Sequence, residues 1–179
     1  DDIFAPTYIS ECLNVLTSNP DCISVCSNFN VTDLKSNQIV EKISPVTRTS
    51  SSIFSRAIIS LLDMHPNMIY GLHKTEIIRK VKFDTFDWFD IFINIQLSYY
   101  GKIFIIPEYL YVVGTDGPRK PYSMTGKYFS FKTFRQNLIK FNKDKFPFLQ
   151  RTIIVLYVFY ITMKNKRSLN KVIFNWDNS

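Results

Sequence analysis

An α/β fold is what the sequence predicts. Segments with apolar residues at helical spacing alternate along the chain with short runs rich in β-branched and aromatic residues, the pattern of strands packed against helices. Hydrophobic residues make up 46% and aromatic residues 16% of 179 positions, against 5 Gly and 8 Pro, which calls for a packed core and argues against disorder. That length gives room for one domain with a real core, and no internal repeat stands out.

Pro6 stands at a first helical turn, and Tyr8, Ile9, Cys12, Leu13 and Leu16 make an apolar face that stops at Ser18-Asn19-Pro20, so a helix is expected over 5–16. Residues 23–29 read as a strand. The stretch 33–49 is polar without a period and suits a surface excursion. Residues 53–62 predict a short helix, with Ser50 to Ser52 offering caps. The apolar run 68–72 is broken by Gly71, which suits a buried strand where a backbone approaches closely. A helix capped by Thr75 is expected over 75–81. Another runs from Asp87 or Trp88 to Tyr100, with Ile91, Ile95 and 97–99 apolar and Gly101 ending it. Residues 102–106 and 109–113 read as two strands split by Pro107-Glu108, and 114–122 as a loop.

The remainder is helical and basic. Phe129, Phe131, Phe134, Leu138 and Phe141 give helical spacing over 126–141, and 152–163 is a second helix, apolar nearly all round. At ~1.5 Å per residue that second helix is too short for a hydrocarbon core of roughly 30 Å; it packs on the domain or lies in a membrane interface. The chain therefore divides into 1–113 and a basic loop with C-terminal helices, 114–179.

Charge is distributed unevenly. Residues 1–90 carry 8 Lys/Arg against 11 Asp/Glu, and 91–179 carry 14 against 4. Between Arg119 and Lys171 there are 13 bases and a single acid, Asp144, so this part should present a strongly positive surface to phosphate, anionic lipid or nucleic acid. Cys12, Cys22 and Cys26 lack zinc spacing and read as buried free thiols. His65 and His73 are isolated and read as structural. Asn30-Val31-Thr32 matches a glycosylation acceptor by pattern alone. Gly-rich phosphate cradles, Cys-His pairs and Ser-His-Asp triads are absent.

Two carboxylate clusters remain, Asp1-Asp2 ahead of the first helix and Asp87 with Asp90 at the mouth of another. On their own, acids before a helix serve as caps, favourable by about 0.3 to 1 kcal/mol through the helix dipole. Asp87 and Asp90 are three apart and would share a helix face. In this setting Asp1-Asp2-Ile3-Phe4-Ala5-Pro6-Thr7-Tyr8-Ile9 resembles the segment of family-two glycosyltransferases in which an Asp-x-Asp metal motif runs into a helix. Tyr70-Gly71-Leu72-His73-Lys74 resembles the turn before that family's acceptor-side helix. Asp87-Trp88-Phe89-Asp90-Ile91-Phe92-Ile93 resembles its acidic-aromatic motif, with Phe86-Asp87 standing where the family has Glu-Asp, and the segment 97–111 resembles the glycine turn and strand pair that follow.

The resemblance covers residues 1–113. It implies the later half of a GT-A-like mixed sheet flanked by helices, with a helical basic C-terminal tail, in a sequence that is the later part of a longer protein. It further implies an inverting transferase that moves a sugar from a nucleotide-diphosphate donor to a saccharide or glycolipid acceptor, with Mn or Mg held by Asp1 and Asp2. Asp87 or Asp90 would be the base, Gly71 and Trp88 would bind acceptor, and Arg119, Lys120 and Lys127 would meet the diphosphate. A hard divalent cation suits a diphosphate leaving group, and a carboxylate suits deprotonation of the attacking hydroxyl. The expected setting is cytoplasmic, with a peripheral contact on the inner face of the plasma membrane and no nucleic acid partner. A second reading is a non-catalytic basic module that binds anionic membrane or nucleic acid.

Overall fold

A computed structural model describes residues 2–63, 65–83, 89–115, 131–157 and 160. It has two compact units, Asp1–Phe129 and Ser130–Ser179. The first is a mixed α/β unit built on a five-stranded sheet. Its strands are β1 (Ile3–Phe4), β2 (Cys22–Asp33), β3 (Gln38–Ile43), β4 (Leu72–His73) and β5 (Lys102–Thr115). The order is β1-β5-β2-β3, with β4 also on β2. The long central pair β2 and β5 is parallel, and the other pairings are antiparallel.

Two apolar layers sandwich the sheet. On one side Tyr8, Cys12 and Leu16 pack with Cys22, Val25, Phe29, Val31, Ile106 and Tyr111. On the other, Met68, Val81, Ile93 and Leu97 pack with Ile23, Cys26 and Ile103. The first helix, α1 (Tyr8–Ser18), buries Tyr8, Cys12 and Leu16, which recur every four residues. Ile9 and Leu13 lie about 100° round the helix from that row and are exposed, so the apolar face is narrower than the sequence suggests. Pro6 sits in the turn before the helix. All three cysteines are free and buried; burial raises Cys12 to about 11 and Cys26 to about 12, which keeps the thiols protonated.

Helix α2 (Ile53–Leu62) has the predicted bounds, and the Ser52 hydroxyl accepts from the Ser55 N–H at 3.2 Å. Helix α4 (Phe89–Tyr100) ends at Gly101, where a Cβ would collide with Ile23. Other expectations change. Residues 33–49 contain β3, paired with the end of β2 through a turn in which Asn37 takes φ 53°; the alternation Ile39, Glu41, Ile43 is short and the strand is solvent-exposed, so it left no clear period. Residues 66–70 form a 3-10 helix rather than a strand, with β4 after it. Helix α3 is only Thr75–Ile78, with Lys74 rather than Thr75 in the cap position.

Pro107-Glu108 does not divide two strands. β5 is continuous, and the register on β2 steps from Ser27↔Ile106 to Asn28↔Tyr109, so the Pro-Glu pair is a bulge. The Asn28 side chain donates to the Pro107 carbonyl at 2.8 Å and closes the gap left in the ladder. Asn30, of the glycosylation-like triplet, lies inside β2 between β3 and β5 and is half-buried, with its Oδ1 enclosed.

The second unit holds α5 (Phe131–Lys145) and a further helix, α6, over 148–157. Phe134, Leu138, Phe146 and Ile154 are buried. Among the described residues no helix is long and apolar enough to cross a membrane.

Candidate active site

β1 brings the start of the chain to the far end of β5. Ile3 pairs with Val112 and Phe4 with Tyr111, and the Ala5 N–H continues the contact to the Leu110 carbonyl at 2.8 Å. Asp2 thereby stands near the carboxyl ends of the parallel strands β2 and β5, where open α/β sheets place their ligands. The buried Tyr111 hydroxyl donates to Asp2 Oδ2 at 2.7 Å. Burial, and then the Asp2 charge, raise the Tyr111 phenol, so it remains a donor.

An aromatic layer fixes that tyrosine. The Phe4 ring stacks on Tyr111 with centroids 4.7 Å apart at 19°, and Tyr8 lies 4.7 Å from Phe4. Phe29 and Tyr70 each lie 5.8 Å from Tyr111. The Tyr8 hydroxyl donates to the Tyr70 carbonyl at 3.2 Å, which ties α1 to the end of the 3-10 helix. Gly71 follows, and a Cβ there would lie 2.6 Å from the Val25 carbonyl oxygen. The close backbone approach expected at Gly71 is thus to β2, and packing alone accounts for it.

Behind this layer lies a buried polar network. Arg48 is 0% exposed and donates to Ser60 Oγ at 2.6 Å, the Val46 carbonyl at 3.0 Å and the Asp63 carbonyl at 2.8 Å. It pairs with Asp63 Oδ2 at 3.2 Å, and His65 Nε2 lies 3.0 Å from Asp63 Oδ1. Burial would raise Asp63, but the His65 bond, the Val46 N–H at 2.7 Å and the Arg48 charge outweigh it and hold the carboxyl below its ordinary range. Ser60 bonds Ser98 of α4, and Arg56 donates to the Ser98 carbonyl at 2.9 Å. Asn94, one turn after Asp90, donates to the His65 carbonyl at 3.1 Å, so α4 is fastened to the 3-10 segment.

Of the sequence-predicted residues, Asp2 and Gly71 fall at the aromatic layer. Asp90 is in the first turn of α4, half-buried, with Oδ1 accepting its neighbour Ile91 N–H at 2.7 Å. A chain of contacts joins the two ends: Asp2 to Tyr111, Tyr111 to Phe29, Phe29 to His65 at 6.3 Å between rings, and the His65 carbonyl to Asn94. Asp1, Asp87, Trp88, Arg119, Lys120 and Lys127 lie outside the described residues. Sequence reasoning missed Tyr111, Tyr8 and Arg48. The first had a signal, since Tyr109 and Tyr111 alternate on a strand beside the motif; Arg48 had none, standing in a polar stretch like any surface base.

As for metal, no group of three potential ligands occurs among the described residues. Magnesium needs only one or two carboxylates when phosphates and water complete its shell. Asp2 fits that demand: it is exposed, and the bond from Tyr111 orients its carboxylate through one oxygen. No family model matches the chain, and no curated protein matches it in sequence.

Proposed function

We propose that this chain is the acceptor-side part of an inverting glycosyltransferase of the GT-A kind, acting on a nucleoside-diphosphate sugar and the hydroxyl of a saccharide or lipid-linked acceptor. The observation that carries the reading is the Tyr111–Asp2 bond near the carboxyl ends of β2 and β5, on an aromatic layer to which Tyr70 of the 3-10 segment contributes. Asp1 and Asp2 would hold Mn or Mg, which neutralises charge on the departing diphosphate. Tyr111 keeps the Asp2 carboxylate oriented, and the rings packed on Tyr111 hold its hydroxyl in place. Asp87 or Asp90 accepts the proton of the attacking hydroxyl as the new bond forms on the face opposite the leaving group. By the same reading Trp88 and Gly71 would bind acceptor, and Arg119, Lys120 and Lys127 would meet the phosphates.

A nucleic-acid module is less well supported, because Phe134 and Leu138 at i, i+4 on α5 are buried and unavailable for stacking on bases. The test is release of nucleoside diphosphate from a panel of nucleotide sugars by the full-length protein, with and without divalent metal. Metal-dependent release that falls by about 10²–10⁴ in Asp87→Asn or Asp90→Asn is expected for loss of a base. Release indifferent to both variants removes the base assignment, and release indifferent to chelation removes the metal. No release from any donor favours the binding module.

A further inference from the structure

Helix α6 carries an apolar stripe that is exposed among the described residues. Leu149, Ile153 and Leu156 are spaced four and three apart on α6, within an arc of roughly 60°, and Tyr160 follows four positions on. All four are exposed, Leu149 at 70% and Leu156 at 62%, and Phe148 beside them is 76% exposed. Ile154, about 140° from Leu149, is the buried contact of this helix. One flank of α6 therefore buries Ile154 and another leaves Leu149, Ile153 and Leu156 exposed, with Phe148 about 100° round from Leu149. Scattered exposed apolar residues need no explanation, but a contiguous stripe of this kind marks an interaction surface.

Charge identifies the occupant. Residues 130–179 hold ten bases (Lys132, Arg135, Lys140, Lys143, Lys145, Arg151, Lys164, Lys166, Arg167 and Lys171) and two acids, Asp144 and Asp177, so the difference is +8. Lys140 and Lys143 are exposed on α5. Arg151 joins the two features: it donates to the Lys143 carbonyl at 3.2 Å, and its guanidinium lies 5.7 Å from the Phe148 ring centroid. The basic end of α5 is thereby held beside the first apolar residue of α6. Two copies meeting along such a stripe would bring like charges together, whereas an anionic bilayer satisfies both the apolar row and the bases. Among the described residues no helix is long and apolar enough to cross a membrane, and 148–157 spans ~15 Å, a length that suits lying in the interface.

We infer that α6 docks this protein on the surface of an anionic bilayer, with Leu149, Ile153, Leu156 and Tyr160 entering the acyl boundary and the bases of α5 contacting headgroups. The inference stands apart from the transfer reaction and is tested without it. Sedimentation of the full-length protein is measured with vesicles of phosphatidylcholine alone and with vesicles half phosphatidylserine. Partitioning is expected on the anionic vesicles and should fall with added salt. Leu149→Ser with Leu156→Ser should weaken it at least tenfold, as should Lys140→Glu with Lys143→Glu, each base near the surface being worth roughly fivefold. These side chains are exposed, so unchanged circular dichroism and thermal midpoint should confirm folding. Binding that ignores lipid charge, or that survives both pairs of changes, overturns the inference. So does a protein that ignores vesicles and instead self-associates through Leu149 and Leu156 in analytical ultracentrifugation.

Discussion

The Tyr111 hydroxyl is buried while its acceptor, Asp2, is exposed, and the two ends of that bond predict different losses. Tyr111→Phe keeps the ring that stacks on Phe4 and removes only the donor, so stability should fall by about 0.5–1.5 kcal/mol in denaturant titration. If Asp2 serves a reacting phosphate, nucleoside diphosphate release should fall by ten- to a hundredfold, because a misplaced catalytic group forfeits orientation. Gly71→Ala should cost more, lowering stability by about 1–3 kcal/mol, since a Cβ 2.6 Å from the Val25 oxygen meets backbone that cannot move aside. His73 supplies a pH signature. Burial holds its imidazole below the ordinary value near 6.5, with Nε2 on the Ile69 carbonyl at 2.9 Å. As pH falls below about 6.5 the unfolded chain takes up that proton first, so stability declines until the folded imidazole also protonates. Asp63, held low, adds a second decline that begins near the ordinary carboxylate value of about 4. Thermal midpoints of His73→Gln across pH should lack the first slope and keep the second.

At the scale of elements, the segment 44–50 has little regular structure and is held by a side chain. Arg48 reaches from it into Ser60 and Asp63 beside α2, while its own backbone bridges to Ile103 of β5. Arg48→Met should cost about 3–5 kcal/mol, because it strands Asp63 and leaves polar groups facing a thioether. Chemical denaturation of the variant measures this. Helices were legible in the sequence where their apolar period was complete and their caps local, as with Ser52 ahead of α2 and Gly101 behind α4. Strand limits were less legible. β2 extends four residues past Phe29 because β3 and β5 pair along both its sides, and β5 runs through Pro107 because Asn28 satisfies the bulge. Both are tertiary effects that no local window contains. Residues 68–72 read as a strand for a related reason: Met68 and Ile69 are neighbours that both pack with α4 and the sheet, which leaves no local period.

At the scale of the whole molecule, Asp2 and Tyr111, more than a hundred positions apart, meet because β1 adds to the edge of β5, while α4 is fastened to the 3-10 segment on the other side of the sheet. The sequence placed carboxylates at element ends, and the fold joins Asp2 to the Asp90 helix through Tyr111, Phe29, His65 and Asn94. What sequence could not supply was the scaffold between them, since Tyr111, Tyr8 and Arg48 act through partners far along the chain. In the proposed reaction both carboxylate clusters act on one sugar–phosphate bond. That is tested most directly by the electron–electron distance between Mn bound with a nucleoside diphosphate and a nitroxide placed at the exposed neighbour of Asp90 by Phe89→Cys, the three native thiols being buried and slow to label. The account predicts metal binding that is lost in Asp2→Asn, and a distance well under half the roughly 30 Å width of a small domain. A distance spanning that whole width, or Mn binding indifferent to Asp2, would contradict it.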